Sequence, residues 1–170
     1  MRGRTGIILR AEEPGDRPVI RAVTEAAFGT REEAYLIDAL HAGGDVVVSL
    51  VAETEGRVAG HVLLSRLASP ERCLALAPVS VAPGLQGRGI GSALIREALS
   101  RAAAAGYEAV FVLGEPAYYT RFGFSPDAAA PFETDYPKDY FMALELKPGT
   151  VAGKAGRVIY PRAFGGPGGG

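Results

Sequence analysis

The chain has 170 residues, of which 48% are hydrophobic and 22% charged, and its net charge is −1. That length suits one domain with its own core and is short for two, and the near-neutral balance lacks the basic excess expected of a nucleic-acid or membrane-surface binder. A single cysteine, Cys73, excludes an internal disulfide framework, and with no paired His pattern it reads as a buried residue.

The basic N-terminus carries only three apolar residues, Ile7, Ile8 and Leu9, before Arg10, so neither a signal peptide nor a membrane span is expected and the cytoplasm is the expected compartment. A strand is predicted over residues 7–11. Pro14-Gly15-Asp16 then opens a helix, with Asp16 as N-cap and Val19, Val23 and Ala27 on the apolar side, ending at Phe28-Gly29. A second helix is predicted over 31–42, closed by Gly43-Gly44. Residues 46–53 and 58–64 form a hairpin about Thr54-Glu55-Gly56-Arg57, and 74–81 add a third strand to the meander.

After Ala82-Pro83 comes the run Gly84-Leu85-Gln86-Gly87-Arg88-Gly89-Ile90-Gly91, followed by a helix whose Leu94, Ile95, Ala98, Leu99 and Ala102 share one face. Gly106 ends that helix, and residues 109–113 read as a fully buried strand. The right-handed crossover makes this strand parallel to 74–81. A short helix over 116–122 stops at Gly123, and late strands are predicted over 141–146 and 156–160. The domain is taken as 1–164, with a disordered glycine-rich tail over 165–170.

The glycine run therefore lies at a helix N-terminus, where unpaired N–H groups and the peptide dipoles place roughly half a positive charge. Glycines at 87, 89 and 91 clear the approach of a phosphate to those amides, and Arg88 adds a guanidinium fork. A triphosphatase loop is excluded because no Gly-Lys-Ser/Thr follows, and the dinucleotide spacing fails because Ser92 or Leu94 stands where the third glycine belongs.

Residues 79–91 resemble the acetyl-coenzyme A motif of the GNAT superfamily of N-acetyltransferases, Gln/Arg-x-x-Gly-x-Gly/Ala, here Gln86, Gly89 and Gly91. Tyr118-Tyr119-Thr120-Arg121-Phe122-Gly123-Phe124 resembles the later block of the same family, in the right order and separation. The resemblance covers roughly residues 7–146, and the Gly114-to-Phe124 block is similar to a bacterial subgroup whose acceptors are mostly unassigned. It implies an α/β (mixed α+β) acyl-CoA acyltransferase fold, with a mostly antiparallel mixed sheet, one splayed parallel strand pair and flanking helices.

It also implies acetyl-CoA as donor, bound by Val79, Val81, Gln86, Gly87, Arg88, Gly89, Ile90, Gly91 and Ser92, with no metal. Pro78, which lacks a ladder donor, fits an opening of the strand beside which pantetheine amides could pair with backbone. The reaction would be direct attack of an amine in a ternary complex, with Tyr119 as general acid and Tyr118 as packing. Glu32, Glu33 and Glu53 are candidate bases, although each reads more readily as a solvated surface charge, and His41 and His61 are given no chemical role. The segment after the buried strand departs from the family: Gly114-Glu115-Pro116 replaces a coenzyme-contacting Asn. The acceptor pocket is expected among the first two helices, residues 28–33 and residues 128–140, where Phe132, Glu133, Asp135, Tyr136 and Asp139 lie.

The expected partner is a small-molecule or protein amine, without nucleic acid or membrane, and a homodimer is left open. The alternative is a non-catalytic acyl-CoA-binding sensor or scaffold.

Overall fold

Three strands of alternating apolar pattern and a glycine-marked crossover organise the chain around one mixed sheet. The computed structural model describes residues 6–165. In chain order these form β1 (Ile8–Ala11), α1 (Arg17–Phe28), α2 (Glu32–Ala42), β2 (Val46–Thr54), β3 (Arg57–Arg66), β4 (Cys73–Val81) and α3 (Ile90–Ala104), followed by β5 (Ala109–Leu113), α4 (Pro116–Tyr119), α5 (Pro126–Ala129), β6 (Phe132–Glu133), β7 (Phe141–Glu145) and β8 (Gly156–Arg157). The central sheet has the order β1-β2-β3-β4-β5-β7, and β4–β5 is its parallel pair. This is the expected mostly antiparallel architecture, with helices on both faces.

Period-2 alternation divides the core. On one face Val62 and Leu64 of β3, with Leu74 and Leu76 of β4, meet Leu94, Ile95, Ala98 and Ala102 of α3. On the other, Val51 and Leu63 meet Ile20 of α1 with Ile37 and Leu40 of α2. Residue types that match the strand and helix periods at the same time leave little freedom of register, because a one-residue slip would turn a whole row outward. The β2–β3 turn takes Glu55 (φ 53°) and Gly56 (φ 75°) into the left-handed region, the geometry of a tight two-residue hairpin.

Three expectations are corrected. Asp16 does not cap α1 through its side chain: the carboxylate accepts from Arg10 at 2.7 and 2.9 Å and from the Glu13 amide at 2.7 Å, so an ion pair to β1 fixes the entry to α1. Val19 is exposed, and the buried face of α1 is Ile20, Val23 and Thr24. The segment 156–160 does not join the central sheet. Gly156–Arg157 pairs in parallel with Phe132–Glu133 as a separate two-stranded sheet, while Val158 and Tyr160 send their side chains into the core beside Phe111 and Phe141. Gly165 closes a final turn by donating to the Arg162 carbonyl, and residues 166–170 of the expected tail lie outside the described residues. No helix among the described residues is long and apolar enough to cross a membrane.

Candidate active site

The parallel ladder between β4 and β5 runs only from Cys73–Ala109 to Leu76–Val112. Beyond Leu76, β4 continues to Val81 and remains paired with β3 alone, so one edge of Ala77–Val81 is open. The cause is local. Pro78 has no N–H to give, and opposite it the β3–β4 register shifts between Val62 and Leu64, as a bulge requires. Ser80 turns its hydroxyl toward Thr24 of α1 at 3.4 Å, while Val79 and Val81 pack with the α3-side core.

The glycine loop closes on this open edge. Gly87 (φ 79°) and Gly89 (φ 83°) occupy the left-handed region, and Gly89 is the residue from which α3 starts. The Gln86 side chain donates to the Val81 carbonyl at 3.1 Å, tying the loop to the strand end. Gly60 of β3 sets how closely α3 approaches: a Cβ there would lie 2.9 Å from the Ser80 carbonyl oxygen, 3.0 Å from Leu94 Cδ1 and 3.2 Å from Ile90 Cγ2. Its bare backbone lets the first turn of α3 settle beside β4.

The resulting cleft, about 430 Å³, is lined by Val79, Val81, Gln86, Gly87, Gly89, Ile90, Gly91 and Ser92, which brings together all but one of the expected donor-binding residues. Ile90 borders it while its side chain packs in the core. Arg88 is exposed and does not line the cleft. The basic group that does is Arg121, held over the Tyr118 ring at 4.4 Å. Tyr118 also borders the cleft: a Cβ on Gly91 would meet its hydroxyl at 3.1 Å. The expected packing of Tyr118 is present, against Tyr119 and Phe122, and the same ring also borders the cleft.

A second and larger cavity, about 810 Å³, lies where β4 and β5 part and shares Phe28 and Val79 with the first. Tyr119 faces it. The Tyr119 ring is set edge-on to Tyr118 (5.0 Å) and Phe124 (5.8 Å), and it rests directly on Gly114, where a Cβ would come within 2.3 Å of Cε2. Burial, with Tyr118 adding to it, pushes the Tyr119 phenol up to about 12. The hydroxyl therefore carries its proton throughout the neutral and mildly alkaline range.

Glu32 and Glu33 stand at the mouth of this cavity, and Glu33 accepts from Thr30 at 2.8 Å. Glu53 lies outside both cavities, bound by Arg10 at 2.5 Å. Of the aromatic and acidic residues expected in the acceptor region, Tyr136 lines the cavity. Phe132 is in the core, and Glu133 and Asp135 pair with Arg157. The wall with no counterpart in the expected pocket is the C-terminal segment: Tyr160, Ala163 and Phe164 line the cavity, and Ala163 and Phe164 pack beside Ile37 and Leu40 of α2. Their only signal in the sequence is an aromatic pair just ahead of the glycine-rich end.

A buried polar group lies between the sheet and the first two helices. His61 Nε2 shares a hydrogen bond with Ser49 Oγ at 2.8 Å, Ser49 donates to Glu12, and His41 Nε2 stands 3.1 Å from Glu12 Oε1. Burial, helped by the nearby His41 and Arg17, pushes the His61 imidazole down to about 3, so it is neutral. Among the described residues no group of three His, Cys, Asp or Glu side chains is placed to hold a metal ion.

The fold that sets an open β4 edge against a glycine-led helix N-terminus is an acetyltransferase fold, as comparison with known proteins shows. Residues 17–124 match the family model described as the acetyltransferase (GNAT) family, and the chain belongs to that family. It is 37% identical over 143 residues to the uncharacterized N-acetyltransferase YjhQ of Escherichia coli K12, covering 79% of this chain and 77% of that one. It is 32% identical over 164 residues to the uncharacterized N-acetyltransferase YhbS of the same organism, covering 93% and 98%. Among solved structures, YhbS in complex with CoA superposes with a TM-score of 0.87 at 32% identity, over 93% of this chain and 91% of that one. A GNAT family acetyltransferase from Brucella melitensis in complex with acetyl-CoA gives 0.79 at 37% identity, over 95% and 99%.

Proposed function

We propose that the protein is an acetyl-CoA-dependent N-acetyltransferase that acetylates a primary amine by direct attack in a ternary complex. The observation that carries this reading is the open edge of β4 at Ala77–Val81 set against the N-terminus of α3, with two cavities meeting at Val79. The chain's residues fit the donor. Gly87 and Gly89 have open space where a Cβ would stand, so their backbone can approach a pyrophosphate, and Arg121 supplies the cation. The unpaired side of β4 can take the pantetheine amides as a substitute strand. Relatives whose structures hold CoA and acetyl-CoA support the same assignment.

Bound there, the donor supplies an activated acetyl thioester. The residues supply position, a polar edge and a proton. Backbone N–H groups along 79–81 are suited to hold the thioester oxygen as charge develops on it. Tyr119, protonated across the working range, is the group we assign to donate to the departing sulfur. A C–N bond forms as the C–S bond breaks, and in net one proton leaves the amine while one arrives on the thiolate.

Titration calorimetry with acetyl-CoA, CoA, ATP and NAD, paired with thiol release in the presence of an amine panel, tests the reading. Binding of the CoA species with amine-dependent release is expected. Binding of ATP or NAD without CoA would overturn it, and CoA binding with no release for any amine would leave only a sensor or scaffold.

A further inference from the structure

We infer that the larger cavity, lined by α2, the C-terminal segment and the parted ends of β4 and β5, binds an amine with an apolar, aromatic-sized body and no anionic group; the inference rests on the acetyltransferase reading. Three observations converge on this class. The cavity, about 810 Å³, has room for a small amine beside the pantetheine arm, which would share its Ala77–Val79 edge. Its charged lining is Glu32 and Glu33, with no Lys, Arg or His among the described residues that border it. The remainder of its wall is apolar or aromatic.

The aromatic part is organised. Tyr136 and Tyr160 meet edge to face at 5.3 Å, and Tyr160 and Phe164 lie 5.0 Å apart. This cluster packs on the core behind it, so its rings are fixed rather than adjustable. Phe28, also in the lining, is 42% exposed and leaves apolar surface open to a ligand. An aromatic or branched apolar group placed between these walls would remove both from water. Burial holds the Tyr160 phenol well above its ordinary range, as a poorly hydrated wall should.

Charge then sorts the amines. An acceptor bearing a carboxylate or phosphate would bring an anion into a space whose fixed charges are both negative, without a cation to pair it, which is a heavy penalty. A polyamine would find both acids adjacent in the first turn of α2 and no further carboxylate in the lining to pair its distal ammonium groups. A single amine is matched: in its cationic form it is drawn to Glu32 and Glu33 on entry, its body settles against the aromatic cluster, and it gives one proton to solvent before the neutral nitrogen attacks. Tyr136, Tyr160 and Phe164 all lie beyond residue 124, outside the part of the chain that matches the family model. The aromatic part of the acceptor wall is therefore built by residues beyond those that match the family model.

The test compares 2-phenylethylamine, phenylalanine and spermidine, with binding measured by ligand-observed NMR on the CoA-bound full chain and turnover measured by thiol release. We expect 2-phenylethylamine to bind at least about tenfold more tightly than either other amine, and to be acetylated with the same preference in kcat/KM. Phe164→Ala should weaken its binding about tenfold while leaving the affinity for CoA unchanged, and Phe164→Leu should recover most of the loss. Unchanged CoA affinity also shows that the variant is folded. Equal or better binding of phenylalanine or spermidine, or an unaltered 2-phenylethylamine affinity in Phe164→Ala, would overturn the inference. Binding with the expected preference but no thiol release would uphold the pocket and refute the acetyltransferase reading instead.

Discussion

Replacing Gly114 by alanine tests whether the position of the Tyr119 ring matters to the reaction. Gly114 does not occupy the left-handed region, so alanine is allowed by its backbone, and its amide can keep the 2.9 Å bond to the Tyr140 carbonyl. The added methyl would nevertheless lie 2.3 Å from Tyr119 Cε2, 2.8 Å from Cδ2 and 3.4 Å from Cζ. Restoring ordinary contact needs a ring movement of about 1 Å. The ring cannot yield freely, because Tyr118 at 5.0 Å, Phe124 at 5.8 Å and Phe122 at 6.3 Å surround it. Overpacking of this kind costs about 1–3 kcal/mol of stability. A misplacement of about 1 Å at a reacting centre lowers kcat by about a hundredfold. Thiol-release kinetics under saturating acetyl-CoA would read the loss, and thermal unfolding would confirm that the variant is folded. Wild-type kcat in a folded Gly114→Ala protein would refute the role assigned to Tyr119.

Tyr119→Phe keeps the ring and removes the proton, and should lower kcat by about a hundredfold, evenly from about pH 7 to about pH 10, because the phenol is protonated across that range; a loss confined to one end of the profile would contradict this. Gly89→Val forces a branched side chain onto φ 83° and covers the start of α3, so calorimetry should show CoA binding weakened at least about tenfold, and unchanged affinity would remove the loop from the donor site. Gly60→Ala should destabilise the fold by about 1–3 kcal/mol in urea unfolding, since its methyl would meet the Ser80 carbonyl oxygen at 2.9 Å; an unchanged midpoint would mean that α3 is not held at that distance. His61 titrates near 6.5 when unfolded and near about 3 when folded, so below about pH 6.5 the unfolded chain takes up a proton that the folded chain refuses, and stability falls by about 2 kcal/mol by about pH 5. Asp16, held low by Arg10, loses its contribution only at more acid pH, and His61→Gln should flatten the limb between about pH 6 and about pH 4; identical limbs would show that His61 is not its source.

Much of the site was legible because its signals are local. The β4 pattern, the Ala82-Pro83-Gly84 stop and the α3 periodicity all lie in one continuous stretch, and the crossover rule then fixed β5 as a parallel neighbour. Pro78 announced the opening of β4 for the same reason. What stayed hidden depends on rotation or on distant chain. Arg88 and Arg121 are both arginines near the glycine loop, and only the backbone direction at each decides which one reaches the cleft. Tyr118 and Tyr119 are adjacent on one helical turn and therefore face different cavities. Gly60 matters because α3 lands on it from thirty residues away, a tertiary constraint with no local trace. Asp16 looked like a cap because Asp often is one, and the nearby Arg10 engaged it first.

The central claim is that amine and acetyl donor meet where β4 leaves β5. Mixing the protein with acetyl-CoA and 2-phenylethylamine, while following free thiol and the N-acetylated amine together by absorbance and mass spectrometry, tests it most directly. Equimolar appearance of both products is expected, dependent on protein and abolished or greatly slowed in Tyr119→Phe. Thiol release without acetylated amine, or acetylation that Tyr119→Phe leaves intact, would contradict it.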